Sequence, residues 1–180
     1  MKAKDMILIS IFASLTAIGA FIRIDIGYIP FTLQFFFCAL SGVLLGAKMG
    51  ALSQIIYVAI GLLGLPVFSK GGGLSYVFKP SFGFIIGFIA AAYIIGLFSK
   101  KSNSFITMFF SQILGLTVLY IFGVIYMYLS MNFFLEKPMA FINIIKAAVL
   151  PFIIADIIKI VLVSIIGVKI KPILRNISLI

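Results

Sequence analysis

Six long apolar runs limit what this chain can fold into. They lie at about residues 6–22, 31–46, 51–65, 80–98, 105–129 and 151–168. A helix that crosses a bilayer needs about 20 mostly apolar residues, so six crossings would use roughly 120 residues. The rest of the 180 residues lies in short pieces, whereas a folded soluble domain takes about 50 residues or more. We therefore predict an all-α integral membrane protein, in which residues 1–180 form a single transmembrane domain built as a six-helix bundle.

The composition supports a membrane location and narrows the chemistry. Hydrophobic residues make up 64% of the chain and charged residues 10%, whereas about a quarter of the residues in a soluble domain are charged. The chain has no histidine and a single cysteine, Cys38, which excludes histidine metal sites, histidine-based triads and an intrachain disulfide bond. It also has no P-loop motif, so it cannot hydrolyse ATP by that route. We expect no cofactor and no enzymatic activity.

The positive charges follow the pattern of membrane topology signals. The net charge is +10, but the lysines and arginines stand singly or in pairs between apolar runs, unlike the basic stripe of a nucleic-acid-binding protein. With a cytoplasmic N-terminus and one crossing per run, the inner side holds eight of them: Lys2, Lys4, Lys48, Lys100, Lys101, Lys169, Lys171 and Arg175. The outer side holds five: Arg23, Lys70, Lys79, Lys137 and Lys146. The positive-inside rule therefore predicts that both termini are cytoplasmic, and we expect no nucleic-acid partner.

Two ionisable residues lie inside the last apolar run. Asp156 and Lys159 are three residues apart, a spacing that puts them on one face of a helix, where they can pair. A charge at the bilayer centre costs about 2.5 to 3.5 kcal/mol, so such residues usually face the bundle interior and mark a substrate or ion path. We interpret the pair as a binding site. The alternative is a structural ion pair that fixes helix packing.

The outer loop at residues 65–79 is rich in glycine. Gly71, Gly72 and Gly73 allow close approach of the backbone to a ligand, and Lys79 stands just before Pro80, a typical first-turn residue of a helix. Because a helix start with a nearby lysine attracts anions, this loop is a candidate for ligand binding. The alternative is a plain flexible loop.

Several small or polar residues of the apolar runs also need partners. Thr32, Gln34 and Tyr57 can each find one within the bundle or on a ligand, and the sequence leaves both possibilities open. Ala13 and Ala17 are small residues four apart, which lets another helix approach closely, either in this chain or in a partner. Residues 141–150, which include Lys146, form either an interfacial helix or the first turns of the last span.

Taken together, these segments resemble the BioY family, the biotin-specific substrate-binding (S) components of energy-coupling factor (ECF) transporters. The resemblance depends on IPFTLQ at residues 29–34, on GLPVF at residues 64–68 with the glycines that follow, and on KPSFGF at residues 79–84. It also depends on Pro151 and Phe152 followed by Asp156 and Lys159. It covers roughly residues 10 to 168.

The resemblance implies a fold, a function and partners. The fold is the six-helix bundle of S components, with both termini cytoplasmic, in the bacterial cytoplasmic membrane in contact with lipid. The function is high-affinity capture of extracellular biotin under the loops that join helices 1–2 and 3–4. Transport then needs a transmembrane coupling subunit and a pair of separate ATPases. Ala13 and Ala17 match the AxxxA pattern by which S components contact the coupling subunit.

The resemblance also gives the candidate residues roles. The acidic and basic pair of the last helix is a signature of the family and corresponds to Asp156 and Lys159. We expect the ureido group of biotin to meet Asp156, Gln34 or Tyr57, with Thr32 nearby. The carboxylate is expected to meet Lys159, Lys79 or the backbone of residues 71–73. Which end of the ligand meets which group stays open.

One segment departs from the family pattern, so alternative functions have to be considered. The family often has GPTGGY where residues 79–84 read KPSFGF. The change allows an S component for another vitamin or for a biotin precursor. A membrane enzyme that uses Asp156 and Lys159 as an acid/base pair is a further alternative, and so is a structural membrane subunit without a ligand.

Overall fold

The computed structural model describes residues 2–26, 28–100 and 103–177. These residues form six α-helices: α1 (Ala3–Phe21), α2 (Gln34–Leu62), α3 (Phe82–Ser99), α4 (Phe105–Leu129), α5 (Phe141–Ala148) and α6 (Ile153–Asn176). Two short strands, β1 (Arg23–Ile26) and β2 (Ile29–Thr32), lie between α1 and α2. A 3₁₀ turn at Leu74–Phe78 precedes α3, and a π-helical turn at Ser130–Phe134 follows α4.

Helix α2 folds back on itself at Gly46. This residue has φ 79° and ψ −179°, a conformation that glycine adopts far more readily than other residues. Gly50 lies against Gly42, and Gln54 Nε2 approaches Ser41 Oγ at 3.5 Å, so residues 47–62 run antiparallel to residues 34–45. The second and third apolar runs of the sequence are therefore two packed helical segments joined by a sharp turn.

A β-hairpin occupies the loop between α1 and α2, where no strand was expected. β1 and β2 pair antiparallel, with Arg23 opposite Thr32 and Ile26 opposite Ile29. The backbone N–H of Leu33 donates to the Gly19 carbonyl at 3.1 Å, which fixes the hairpin to the end of α1. Helix α2 consequently begins at Gln34, three residues after the expected start of this run at Phe31.

The stretch before the last span is a separate short helix. Helix α5 meets α6 at a bend of 48° across residues 149–152. Its residues Ile144 and Ala148 are buried, whereas Phe141 and Ile142 are exposed on the opposite face. Among the described residues, four helices are long and apolar enough to cross a membrane, or five if α5 and α6 together form one span. That number counts α2 once, although it folds back on itself.

Small residues allow the helices to pack closely. A Cβ atom on Gly42 would lie 2.7 Å from the carbonyl oxygen of Ala92, and one on Gly96 would lie 2.2 Å from the backbone nitrogen of Ala47. Both contacts join α2 to α3, which is the most extensive helix pair in the molecule. Helix α4 packs on α3, helix α1 packs on α2, and α6 lies across α2 and α4.

The bundle has two distinct ends. The hairpin end contains β1 and β2, the 3₁₀ turn and the starts of α3 and α6. The Gly46 end contains the turn within α2 and the last turn of α3, where Lys171 of α6 donates a hydrogen bond to the Ser99 carbonyl. Helix α1 runs from the Gly46 end into β1, so the described parts of both termini lie at the Gly46 end.

Candidate ligand-binding site

A cavity lies within the hairpin end of the bundle. It encloses about 560 Å³ of space free of protein atoms, including the part that is open to solvent. Most of its wall is apolar: Ile29, Pro30, Phe31, Phe35, Phe84, Ile85, Phe88, Leu119, Ala148 and Phe152. The polar groups on the wall are Thr32, Gln34, Ser69, Tyr76, Ser81, Tyr120, Asp156 and Lys159. A mostly apolar hollow with a few fixed polar groups is the usual form of a small-molecule site.

Asp156 and Lys159 form a buried ion pair on the cavity wall. Lys159 Nζ lies 2.8 Å from Asp156 Oδ1, and the two side chains are only 7% and 8% exposed. Lys159 also donates to the Thr32 carbonyl at 2.8 Å, and its ammonium group lies 4.1 Å from the centre of the Phe31 ring. Burial of two charges is favourable only when further partners compensate the loss of water, and these contacts supply them.

Tyr120 completes the polar contacts of the carboxylate. Its hydroxyl group donates a 2.6 Å hydrogen bond to Oδ2 of Asp156, while Oδ1 accepts from Lys159. Asp156 lies in the first turn of α6, where the positive end of the helix dipole favours a carboxylate. The position of the carboxylate is therefore fixed by α4 and α6 together.

A chain of hydrogen bonds joins the start of α2 to the glycine loop. Thr32 Oγ1 donates to Gln34 Oε1 at 3.0 Å, Gln34 Nε2 donates to the Tyr57 hydroxyl at 2.6 Å, and that hydroxyl donates to the Val67 carbonyl at 3.2 Å. Thr32 and Gln34 line the cavity, whereas Tyr57 is buried behind it. In this geometry Gln34 has partners within the bundle, and its amide also faces the site.

The three glycines fold the loop onto itself rather than onto the cavity. Gly71 and Phe68 exchange backbone hydrogen bonds of 2.9 and 3.2 Å, and the Gly73 N–H donates to the Gly61 carbonyl at 2.7 Å. A Cβ atom at Gly72 would lie 2.1 Å from the Leu65 carbonyl oxygen. None of the three glycines lies on the described wall of the cavity. Their role in binding stays a prediction.

Lys79 lies behind the wall as well. Its ammonium group donates to the Lys70 carbonyl at 2.7 Å and lies 4.5 Å from the centre of the Tyr76 ring. Burial lowers the pKa of Lys79 below its ordinary value, and the neighbouring Lys70 cation lowers it further. Tyr76 therefore separates Lys79 from the cavity, and a contact between Lys79 and a ligand stays a prediction.

Two tyrosines on the wall were not identified from the sequence. Tyr120 contacts Asp156, and the Tyr76 hydroxyl lies 3.2 Å from Ser69 Oγ and 3.4 Å from Ser81 Oγ. Tyr120 lies within the fifth apolar run and Tyr76 lies in the glycine loop, and the partners of both hydroxyl groups are distant in sequence or set by the fold of that loop. The sequence did offer one indication, because the hydroxyl group of a tyrosine in an apolar segment needs a hydrogen-bonding partner once it is buried.

Ala13 and Ala17 lie on a groove between α1 and the second half of α2. Ala13 is buried and Ala17 is partly buried, and with Ser10 and Ser14 they form the α1 side of the groove. The opposite side consists of Ile56, Tyr57, Ile60 and Val67. The small residues thus contact this chain's own α2 region, and contact with a coupling subunit stays a prediction.

Comparison with known proteins decides the family. The family model described as "BioY family" matches residues 1–176. The chain belongs to the BioY family. The motif resemblance found in the sequence is thereby confirmed.

Relatives of this BioY-family chain match over most of their length. It is 41% identical over 154 residues to a "Probable biotin transporter BioY" from Lysinibacillus sphaericus, covering 84% of this chain and 79% of the relative. It is 37% identical over 169 residues to the "Biotin transporter BioY" of Thermotoga maritima, covering 93% and 96% of the two chains. A solved structure titled as the S-component for biotin from an ECF-type ABC transporter has a TM-score of 0.82 and 27% identity, covering 96% and 95%.

Proposed function

We propose that this protein is the S component of an ECF transporter, which binds biotin in the cavity at the hairpin end. The observation that carries the proposal is the buried pair of Asp156 and Lys159 on the wall of that cavity. The relatives named biotin transporters and the solved biotin S-component support it. The role is that of a substrate-binding subunit rather than an enzyme.

The wall of the cavity suits the chemistry of biotin. The ligand has an apolar ring system and chain, a polar ureido group at one end and a carboxylate at the other. The phenylalanines and aliphatic residues would bury the apolar part, while fixed polar groups orient the two ends. Lys159 lines the cavity and Lys79 does not, so we favour Lys159 over Lys79 as the cation for the carboxylate. Asp156 lies 2.8 Å from Lys159, so it would position Lys159 at that same end of the ligand. Gln34 then remains as a partner for the ureido group.

Ligand entry requires movement at the hairpin end. The polar pair on the cavity wall is covered in this structure, since the side chains of Asp156 and Lys159 are only 8% and 7% exposed. The segments that cover the cavity are β2 and residues 66–81, both outside the long helices. We propose that these two segments separate to admit biotin and close over it to exclude water.

The proposed topology has six crossings and a cytoplasmic Gly46 end. The antiparallel halves of α2 would each cross once, and α5 with α6 would form the last span. The Gly46 end contains both described termini together with Lys48, Lys100 and Arg175. The positive-inside rule favours the cytoplasm for this end, which places the biotin cavity on the outer side of the cell membrane.

Transport would depend on other subunits. We propose a membrane coupling subunit that contacts α1 near Ala13 and Ala17, and a pair of ATPases that powers release. The partly exposed small residues along α1 support close approach of a second helix. The absence of a P-loop motif from the sequence is consistent with ATP hydrolysis by separate proteins.

The proposal is tested by biotin binding to the detergent-purified protein. Native mass spectrometry and thermal shift should detect selective binding of biotin over riboflavin and thiamine. Asp156→Asn and Lys159→Ala should each abolish or sharply weaken it. Lys169→Ala, which removes an exposed lysine from the same helix, is the matched control and should bind as the wild type does. Wild-type biotin affinity in both site variants would return the pair to a structural role.

A close relative of biotin is the second candidate ligand. Ser81 and Phe84 line the cavity within the segment that departs from the family pattern, so the loss of the family's tyrosine hydroxyl changes the wall itself. Desthiobiotin in the same assay separates the two candidates. A larger thermal shift with desthiobiotin than with biotin would favour the precursor.

A further inference from the structure

A second hollow lies at the Gly46 end, about one bundle length from the biotin cavity. Four basic residues line it: Lys48, Lys100, Lys171 and Arg175. No acidic residue is among the described residues on its wall. It encloses about 1020 Å³ of space free of protein atoms, including the part open to solvent. It is the site of strongest positive charge among the concave surfaces described for this structure.

The hollow exists because of the turn within α2. Gly46 breaks the helix, and Gly96 of α3 packs directly against Gly46 and Ala47. The first turn of the second half of α2 then forms one wall, with Lys48 exposed at its rim.

The basic residues come from three separate helices. Lys48 belongs to α2, Lys100 follows the end of α3, and Arg175 lies in the last turn of α6 and donates a hydrogen bond to the Lys100 carbonyl. Lys171 is buried below them and donates to the Ser99 carbonyl. The fold therefore brings together charges that the sequence spreads over 128 positions, counted from 48 to 175 inclusive.

The remaining wall is apolar, and its exposed part lies on α3, where Leu97 is 50% exposed. It includes Leu44, Leu45, Met49 and Leu97, and also Tyr93, which is 44% exposed on α3. A free phosphate ion would contact the cations but leave this apolar surface in place. A phospholipid would use both, because its phosphate accepts hydrogen bonds from lysine and arginine while an acyl chain lies along the apolar wall.

We propose that the hollow at the Gly46 end binds the head group of an anionic phospholipid. Basic pockets between transmembrane helices at the cytoplasmic surface are suited to such head groups, and the cytoplasmic leaflet carries the anionic lipids. The proposal uses the membrane orientation given above, but it does not depend on biotin as the ligand. The bound lipid would join the ends of α2, α3 and α6 at the surface opposite to the biotin cavity.

The test measures lipid retention by the full-length protein in detergent. Native mass spectrometry would follow titration with phosphatidylglycerol, with phosphatidylcholine, and with glycerol phosphate as a source of the free phosphate group. The variant combines Lys48→Gln and Arg175→Gln, both at exposed positions, so the fold should be kept. The control combines Lys137→Gln and Lys146→Gln, which removes the same charge from exposed positions at the other end.

We expect the wild type to bind phosphatidylglycerol more tightly than phosphatidylcholine, with no retention of glycerol phosphate. The Lys48/Arg175 variant should lose about tenfold or more of the affinity for phosphatidylglycerol, whereas the control should match the wild type. Equal loss in the control, or equal binding of the two lipids, would overturn the proposal. Unchanged phosphatidylglycerol binding in the Lys48/Arg175 variant would also overturn the proposal. The alternative occupant of this surface would then be an acidic protein partner. Thermal unfolding of each variant without lipid checks the fold, independently of biotin.

Discussion

The hydroxyl group of Tyr120 donates a 2.6 Å hydrogen bond to Oδ2 of Asp156, across 36 positions of sequence. The other carboxylate oxygen accepts from Lys159, so the two contacts hold the carboxylate between α4 and α6. Tyr120 is thus positioned to orient the charged group that we assign to biotin binding. This contact connects the packing of α4 to the chemistry of the site.

Tyr120→Phe should weaken biotin binding by about tenfold. The substitution keeps the aromatic ring and removes a hydrogen bond to a charged group, an interaction that contributes about 1.5 to 3 kcal/mol. Isothermal titration calorimetry on the detergent-purified protein would measure the affinity. Tyr93→Phe, at an exposed tyrosine of α3 outside the cavity, is the control. Equal affinity of the Tyr120 variant and the wild type would remove Tyr120 from the site.

Gln34→Leu and Tyr57→Phe separate ligand contact from internal packing. Both break the hydrogen bond between Gln34 and Tyr57, but only Gln34 lies on the cavity wall. We expect both to lower thermal stability. Tyr57→Phe leaves the buried Gln34 amide without its acceptor, at a cost of about 1 to 3 kcal/mol, and Gln34→Leu removes the hydrogen bonds to Thr32 and Tyr57. Gln34→Leu should reduce biotin affinity further. Equal affinities in the two variants would mean that Gln34 acts only within the bundle.

Much of the helical architecture and the ion pair was readable from local sequence. The apolar runs marked the long helices, and the three-residue spacing of Asp156 and Lys159 predicted their contact, because both features depend on neighbours along one helix. The family resemblance of the motifs around Pro30 and Pro66 was equally visible. In each case the relevant information lies within a short segment.

The features missed by sequence reasoning depend on contacts between distant segments. The strands of the hairpin have only four residues each. The first, RIDI, alternates between polar and apolar residues over too short a stretch to mark a strand, and the second contains Pro30, which strands usually exclude. The partners of Tyr120 and Tyr76 are set by the packing of α4 and by the fold of the glycine loop. The placement of Lys79 behind Tyr76 likewise depends on how that loop closes.

Gly72→Ala should disturb the loop that covers the cavity. A Cβ atom at this position would lie 2.1 Å from the backbone oxygen of Leu65 and 3.0 Å from that of Gly61, so the backbone itself must shift. We expect about tenfold weaker biotin binding with a smaller loss of thermal stability, because the long helices are unaffected. Leu74→Ala, at a residue that is 74% exposed in the same loop, is the control. Wild-type affinity in the Gly72 variant would show that the loop does not shape the site.

Replacing both members of the ion pair distinguishes a binding role from a structural one. Lys159→Leu alone leaves a buried carboxylate without its cation, which typically costs about 3 to 5 kcal/mol, and Asp156→Leu leaves a buried ammonium group in the same way. The double variant buries two apolar side chains, so its thermal midpoint in detergent should recover to near the wild-type value.

Biotin affinity should not recover with stability in the double variant. If the pair binds the ligand, all three variants lose binding, since the polar contacts to biotin are gone whether or not the fold is stable. If the pair only fixes the packing of α6, the double variant should bind biotin as the wild type does. Thermal unfolding and calorimetric titration would be measured on the wild type, the two single variants and the double variant. The binding role and the structural role predict different biotin affinities for the double variant. Biotin binding by a stable double variant would contradict the proposed site.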